Sequence, residues 1–282
     1  MSIIKKFILT SRYDKPLGIL LLYIPCIWGI SLNKFSISED ILLCVIFFAG
    51  ASGMRALGCI WNDYTDKDFD KKINRTKTRL IASNQVSNRE IIIFALINAA
   101  IGSFPLYFIP LHSILMAFAI LPIVIIYPYM KRYTWWPQFW LGLCFNWGIF
   151  IGYSIYNQNL LQIELILFYL GAVFFTIGYD TIYGFQDVLD DEIVGVKSTS
   201  LRFKNRPKYF LSIIYFICFS FWLTSLYLLK KPIFILCLLI LAFFLFFVVI
   251  MLTNTNDVKE CKNTFRYNTY FSFVLMMILV FN

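Results

Sequence analysis

Nine long apolar runs, near 16–33, 41–61, 91–110, 113–130, 135–156, 161–183, 209–229, 232–252 and 267–282, constrain this chain more than any other feature. Each is close to the roughly 20 residues a helix needs to cross the hydrocarbon of a bilayer. In lipid the backbone amides of such a run have to bond within it, which a helix achieves. Composition agrees: 60% of the 282 residues are hydrophobic and 15% are charged, against about 45–50% and about 25% in soluble proteins. A soluble domain cannot hide that much apolar surface. The pattern excludes a soluble enzyme and a disordered chain. It predicts an all-α polytopic membrane protein, one transmembrane domain over 1–282 with nine spans. Pro105, Pro122 and Pro128 are expected as kinks within the spans.

The connections carry the charge, and its formal sum is +9. With a cytoplasmic N-terminus, 21 of the 25 Lys and Arg fall in inner segments. Lys34, Lys230 and Lys231 fall outside, and Arg55 lies inside a span. The positive-inside rule accounts for this split and sets the orientation, so the basic balance calls for no nucleic-acid partner. Residues 1–15 are too polar for a signal peptide and are not the Arg/Ser-rich leader of an organelle precursor. The expected location is therefore a bacterial cell inner membrane. The seven cysteines are scattered with no C-x-x-C pair, and His112 is the single histidine. Neither a disulfide framework, a zinc site nor histidine acid–base chemistry is indicated.

Two inner loops, about 62–90 and 184–208, are long and rich in both signs of charge. The first holds Asp63, Asp66, Asp68 and Asp70; the second follows Asp180 and holds Asp187, Asp190, Asp191 and Glu192. Asp66 and Asp70 are four apart, as are Asp187 and Asp191, and both members shift by 121 residues between the copies. This suggests two related four-helix halves with a ninth helix appended, and membrane proteins often place their site between such halves. On a helix, Arg55, Asn62, Asp66 and Asp70 fall within a stripe of about 80°. Asp180, Tyr183, Asp187 and Asp191 likewise share one face. Gathered carboxylates repel one another and are costly to desolvate. An oxygen-only donor set points to Mg²⁺, which binds a few carboxylates together with substrate phosphates. Solvated loop charges balanced by Lys71, Lys72 and Arg75 are the alternative. The duplication at matched spacing on one side argues against it.

The residues resemble the UbiA superfamily of intramembrane prenyltransferases. Its first signature, N-D-x-x-D-x-x-x-D, is matched by Asn62, Asp63, Asp66 and Asp70. Its second, D-x-x-Y-x-x-x-D-x-x-x-D, is matched by Asp180, Tyr183, Asp187 and Asp191. RYDKPLGILLLYIPCIWGI at 12–30, MRALGCIWND at 54–63 and YPYMKRYTWWPQFWLGLCFNWG at 127–148 are similar to the 4-hydroxybenzoate polyprenyltransferase branch. Leu80 stands where that family usually has proline, and Asn84 where it usually has glycine.

The resemblance implies nine transmembrane helices with a cytosolic cap, the loops about 62–90 and 184–208, over a central cavity, and transfer of a polyprenyl chain from polyprenyl diphosphate to 4-hydroxybenzoate, within ubiquinone biosynthesis. By analogy Asn62 and Asp63 complete the first cluster, so that Asp63, Asp66, Asp70, Asp187 and Asp191 become the Mg²⁺ ligands. Lys131 and Arg132 would bind diphosphate oxygens, and Arg55 the benzoate carboxylate. Asp191 is the candidate for polarising the phenol or accepting a proton. A charged residue such as Arg55 two turns inside a span is costly and usually functional. The competing readings are another acceptor within the superfamily (haem, naphthoate or chlorophyllide) and a cation-coupled transporter. A transporter would place its acids near mid-bilayer, not at the inner ends of spans.

Overall fold

The computed structural model describes residues 1–33 and 35–281. Lys34, an outer-loop cation in the charge count, and Asn282 lie outside the described residues. All regular structure among the described residues is helical. In chain order the helices are α1 (Ile3–Thr10), α2 (Leu17–Leu32), α3 (Ile37–Thr65), α4 (Lys67–Asp70), α5 (Asn88–Ser103), α6 (Leu111–Ala119), α7 (Leu121–Ile126) and α8 (Met130–Tyr133). There follow α9 (Pro137–Asn146), α10 (Gly148–Tyr153), α11 (Ile163–Gly184), α12 (Val188–Val194), α13 (Thr199–Arg202), α14 (Pro207–Leu228), α15 (Ile233–Leu252) and α16 (Val258–Val280). Every expected apolar run is helical.

The expected count of nine spans meets a narrower finding. Six stretches among the described residues are long and apolar enough to cross a bilayer: Ile37–Thr65, Asn88–Tyr107, Leu111–Tyr133, Ile163–Val194, Pro207–Leu228 and Ile233–Leu252. The other three runs differ for local reasons. α2 is 16 residues long. The fifth run breaks at Trp147 between α9 and α10. The first three turns of α16 carry Lys259, Glu260, Lys262 and Arg266. The proline expectations hold locally: Pro105 and Pro128 sit in short 3₁₀ turns, and Pro122 in the first turn of α7. These are positions where a missing N–H costs little.

α11 is the hub, packed against α9, α14 and α16, while α2 packs against α3, α10 and α16. The core around the hub is aromatic: Trp28, Phe168, Phe175, Tyr215 and Trp222 are all fully buried. Trp28 meets Trp222 edge-on at 5.7 Å, a geometry that aligns the rings' opposite partial charges. Outward-facing Ile92, Leu96, Leu111, Leu115, Phe244 and Leu245 stay exposed, as lipid-facing side chains do. Between helices in lipid the driving forces are close packing and interhelical hydrogen bonds. Asn146 Nδ2 donates to Ala172 O (3.1 Å) and Thr176 Oγ1 (2.7 Å), tying α9 to α11. Tyr215 donates to Asn268 Oδ1 (2.6 Å), tying α14 to α16.

Close packing is tightest where α2 crosses α10. A methyl added at Gly152 would stand 2.1 Å from Cys26 O, and one at Gly29 2.1 Å from Ile149 O. Backbone occupies both gaps, so no rotamer change relieves the clash. Gly58 on α3, by contrast, faces open space. Gly152→Val should lower the midpoint of thermal unfolding of the detergent-extracted protein by about 5 °C or more, as overpacking by about 1–3 kcal/mol does. Gly58→Ala should leave it unchanged or raise it slightly. Thermal melts of the two variants check this, and equal midpoints would contradict it.

Candidate active site

Both acidic motifs sit where a long helix stops. α3 ends at Thr65, Asp66 forms the joint (φ −97°, ψ 5°), and α4 carries Asp70. α11 ends at Gly184, a 3₁₀ turn spans Phe185–Asp187, and α12 carries Asp191. The unbroken helical stripes expected from the spacing are therefore interrupted. The first face survives, because the ladder runs through the joint: Asp66 N–H donates to Asn62 O (2.9 Å) and Asp70 N–H to Asp66 O (2.8 Å).

The two motifs converge. A cavity of about 200 Å³ is bordered by Asn62, Asp66 and Asp70 from the first and by Asp180, Tyr183, Asp187 and Asp191 from the second, with Lys131 beside them. It adjoins a chamber of about 1260 Å³ with a mainly apolar wall. Asn62, Arg75, Arg79, Tyr127, Asp180 and Tyr183 border both spaces. Arg55 borders the chamber only. Its guanidinium lies 5.6 Å from the centroid of the Phe145 ring, it contacts Cys59 Sγ, and its buried Nε has no hydrogen-bond partner among the described residues.

Asp63, Asp66 and Asp70 are 4%, 1% and 3% exposed, and each is matched by a cation. Asp66 accepts Lys131 Nζ at 2.5 Å. Arg79 bridges Asp63 (3.0 Å) and Asp70 (2.7 Å). Arg12, held at φ 56° in the turn before α2, completes the pairing of Asp63. Arg75 grips Asp187 through two 2.6 Å bonds and also donates to Tyr183. The segment between α4 and α5 is thereby fastened to the second motif, and Asn74 N–H adds a bond to Asp190 (3.1 Å). Asn84, the glycine-position departure, has φ 57°; asparagine tolerates that left-handed region better than most residues.

Two of the expected site residues stand beside the small cavity without bordering it. Arg132 lies 3.9 Å from Asp66 Oδ1, donates to Thr65 O (2.9 Å), capping the end of α3, and stacks on Phe69 at 5.0 Å. Asp63 borders the chamber and not the small cavity; Arg79 links it to Asp70, and Arg12 pairs with it from the other side. Arg12, Arg79 and Tyr127 are site residues that spacing did not single out. The four-residue interval from Arg75 to Arg79, matching that of the acids, was the available signal. Lys71 and Lys72, expected as balancing charges, stay at the surface, where Lys71 meets Asp68.

Among the described residues no three His, Cys, Asp or Glu side chains close on a single point as a metal site does. The donors nevertheless fit a divalent cation. Asp66 Oδ1 is buried without a hydrogen-bond partner. Burial raises the Asp66 carboxyl above its ordinary value, with Lys131 pulling against it. Asp191 borders the cavity and forms no ion pair among the described residues. An all-oxygen set of this kind suits Mg²⁺, Mn²⁺ or Ca²⁺.

The UbiA prenyltransferase family model matches residues 22–274. Mitochondrial 4-hydroxybenzoate polyprenyltransferases are 43% identical over 213 residues (Dictyostelium discoideum) and 38% identical over 210 residues (Homo sapiens). Each alignment covers 74% of this chain, and 46% and 57% of the respective relative. The chain thus spans about half the length of these curated relatives. The fold is that of a UbiA homolog from Aeropyrum pernix K1 (TM-score 0.74, 19% identity, 93% of this chain and 97% of that one). It is also that of a UbiA homolog from Archaeoglobus fulgidus bound to GPP and Mg²⁺ (TM-score 0.69, 16% identity, 97% and 99%). Signature residues, fold and family match agree: this chain is a multi-pass membrane protein that belongs to the UbiA prenyltransferase family.

Proposed function

We propose that this chain transfers a polyprenyl group from polyprenyl diphosphate to the ring of 4-hydroxybenzoate, ortho to the hydroxyl, releasing diphosphate, as a step of ubiquinone biosynthesis. One observation carries the reading: carboxylates from both motifs border a single small cavity that opens onto an apolar chamber. A long apolar tail attached to a polyanionic head has that shape and polarity. The names of the relatives above support the acceptor.

Asp66, Asp70, Asp187 and Asp191 would hold the metal, Mg²⁺ in this reading. When bound, Mg²⁺ would supply the charge neutralisation that lets diphosphate leave an allylic carbon. Lys131, now paired with Asp66, would bind diphosphate oxygens in this reading, with Arg75 and Arg79 paired to the neighbouring acids. Arg55, with its buried free Nε, is the group for the aromatic carboxylate, and charge-assisted bonds to guanidinium are strong in such a setting. Transfer breaks the allylic C–O bond, forms a C–C bond to the ring and releases a ring proton. Asp180 borders both spaces while Asp191 borders the small one only, so in this reading the proton-accepting role moves from Asp191 to Asp180. The apolar chamber wall keeps water from the allylic cation. The orientation that goes with this is the sequence-based one, with the acidic end and the N-terminus cytoplasmic. A bacterial inner membrane remains our reading of location, although the relatives are mitochondrial.

The deciding assay offers 4-hydroxybenzoate, a naphthoate and a buffer blank to membranes with one labelled polyprenyl diphosphate. Labelled product with 4-hydroxybenzoate, lost on chelation, is expected; product with the naphthoate alone would assign a different acceptor. Release of diphosphate would separate the enzyme from a transporter. Asp66→Ala and Asp187→Ala should each lower the rate by about 100-fold or more while insertion is unchanged, and near-normal rates at limiting Mg²⁺ would contradict the metal role. Arg55→Ala should raise the KM for the aromatic acid about tenfold or more and leave that for the prenyl donor nearly unchanged.

A further inference from the structure

The large chamber is bordered by a second set of cations that no carboxylate among the described residues pairs with. Lys262, Arg266 and Tyr270 lie four residues apart on α16, and all three border the large chamber. Their stripe therefore faces the cavity. Phe265, within the same turn, lies 5.0 Å ring to ring from Tyr183, so this part of α16 stands against the second acidic motif. α16 packs along α2, and Lys15, just ahead of α2, borders the same chamber. Lys259, on the same helix, does not.

The contrast with the interior is chemical. Near the acidic motifs, Arg12, Arg75, Arg79 and Lys131 are each held by an aspartate. Lys15, Lys262 and Arg266 are exposed and form no ion pair among the described residues. A polyanion approaching the aspartates without its metal meets repulsion. Unpaired cations at the edge of the chamber give it a place to stop first. We propose that Lys262 and Arg266, supported by Lys15, form a receiving site for the diphosphate head of the prenyl donor, separate from the acidic motifs and independent of metal. This rests on the donor assigned under the proposed function. A phospholipid phosphate has the same chemistry, so the test must separate the two sources.

The test measures binding of geranylgeranyl diphosphate to the full chain in neutral phosphatidylcholine vesicles, with EDTA, at low salt and with no acceptor. Each lost cation should weaken binding about fivefold, and Lys262→Gln/Arg266→Gln about 25-fold, from the usual worth of a basic residue near a charged surface. The salt dependence should flatten with it. Lys259→Gln should bind as the unaltered chain, and Lys262→Arg/Arg266→Lys should retain binding. In turnover with Mg²⁺ the double variant should raise the KM for the donor and not that for the aromatic acid. Equal binding by the double variant and the unaltered chain would overturn the receiving site, whatever the acceptor. So would a loss seen only in vesicles containing phosphatidylglycerol, which would make these cations lipid anchors. Because no acceptor is present, failure of the 4-hydroxybenzoate assignment leaves this readout intact.

Discussion

Carboxylates withdrawn from solvent have to be matched by positive charge, and this demand organises one end of the molecule. Asp63, Asp66 and Asp70 are almost fully buried, where an unpaired carboxylate costs several kcal/mol. The matching cations come from far along the chain: Arg12 from the turn before α2, Arg79 from the segment after α4, and Lys131 from α8. Arg75 carries the same demand to Asp187. Four separate parts of the chain are thus fastened by charge, and the fastening holds both acidic motifs against one small cavity. A divalent cation with a diphosphate could take over the acids' demand and leave the arginines and Lys131 free to bind phosphate oxygens.

The helical scaffold makes that arrangement possible at a membrane. Its middle is sealed by small residues and aromatic packing, as where Gly152 admits the backbone of α2 and where Trp28 meets Trp222. The polar groups collect where α3 and α11 stop. Between them lies the mainly apolar chamber, with Arg55 in its wall. An amphiphile with a charged head and a long tail is accommodated without exposing either part to the wrong medium. This is the physical basis for reading the cavity as a prenyl diphosphate site.

Much of this was legible in the residues. The apolar runs predict the helices, because a bilayer leaves the backbone no other economical choice. The repeated four-residue spacing of Asp66/Asp70 and Asp187/Asp191 predicts two acidic faces, and they do border one cavity. What stayed hidden depends on tertiary placement. Nothing local in Arg12 says that a left-handed turn will bring it to a residue 51 positions away. Nothing in the pair Lys131–Arg132 says that, of two neighbours that both reach Asp66, one will border the cavity and the other will also cap α3 at Thr65 O. The joint at Asp66 was also invisible, since the four-residue hydrogen-bond pattern passes through it almost unchanged. The role of α16 was hidden by composition: its cations read as ordinary flanking charge until their stripe is seen to face the chamber.

The central claim is that the two motifs act as one cation-bridged diphosphate site. Its most direct test is Mn²⁺ binding, followed by electron paramagnetic resonance, to the purified chain with and without geranylgeranyl diphosphate. The account predicts Mn²⁺ binding that depends on the diphosphate and is lost alike in Asp66→Asn and Asp187→Asn. Full retention of that binding in either variant would mean that the motifs do not share a ligand, and would contradict it.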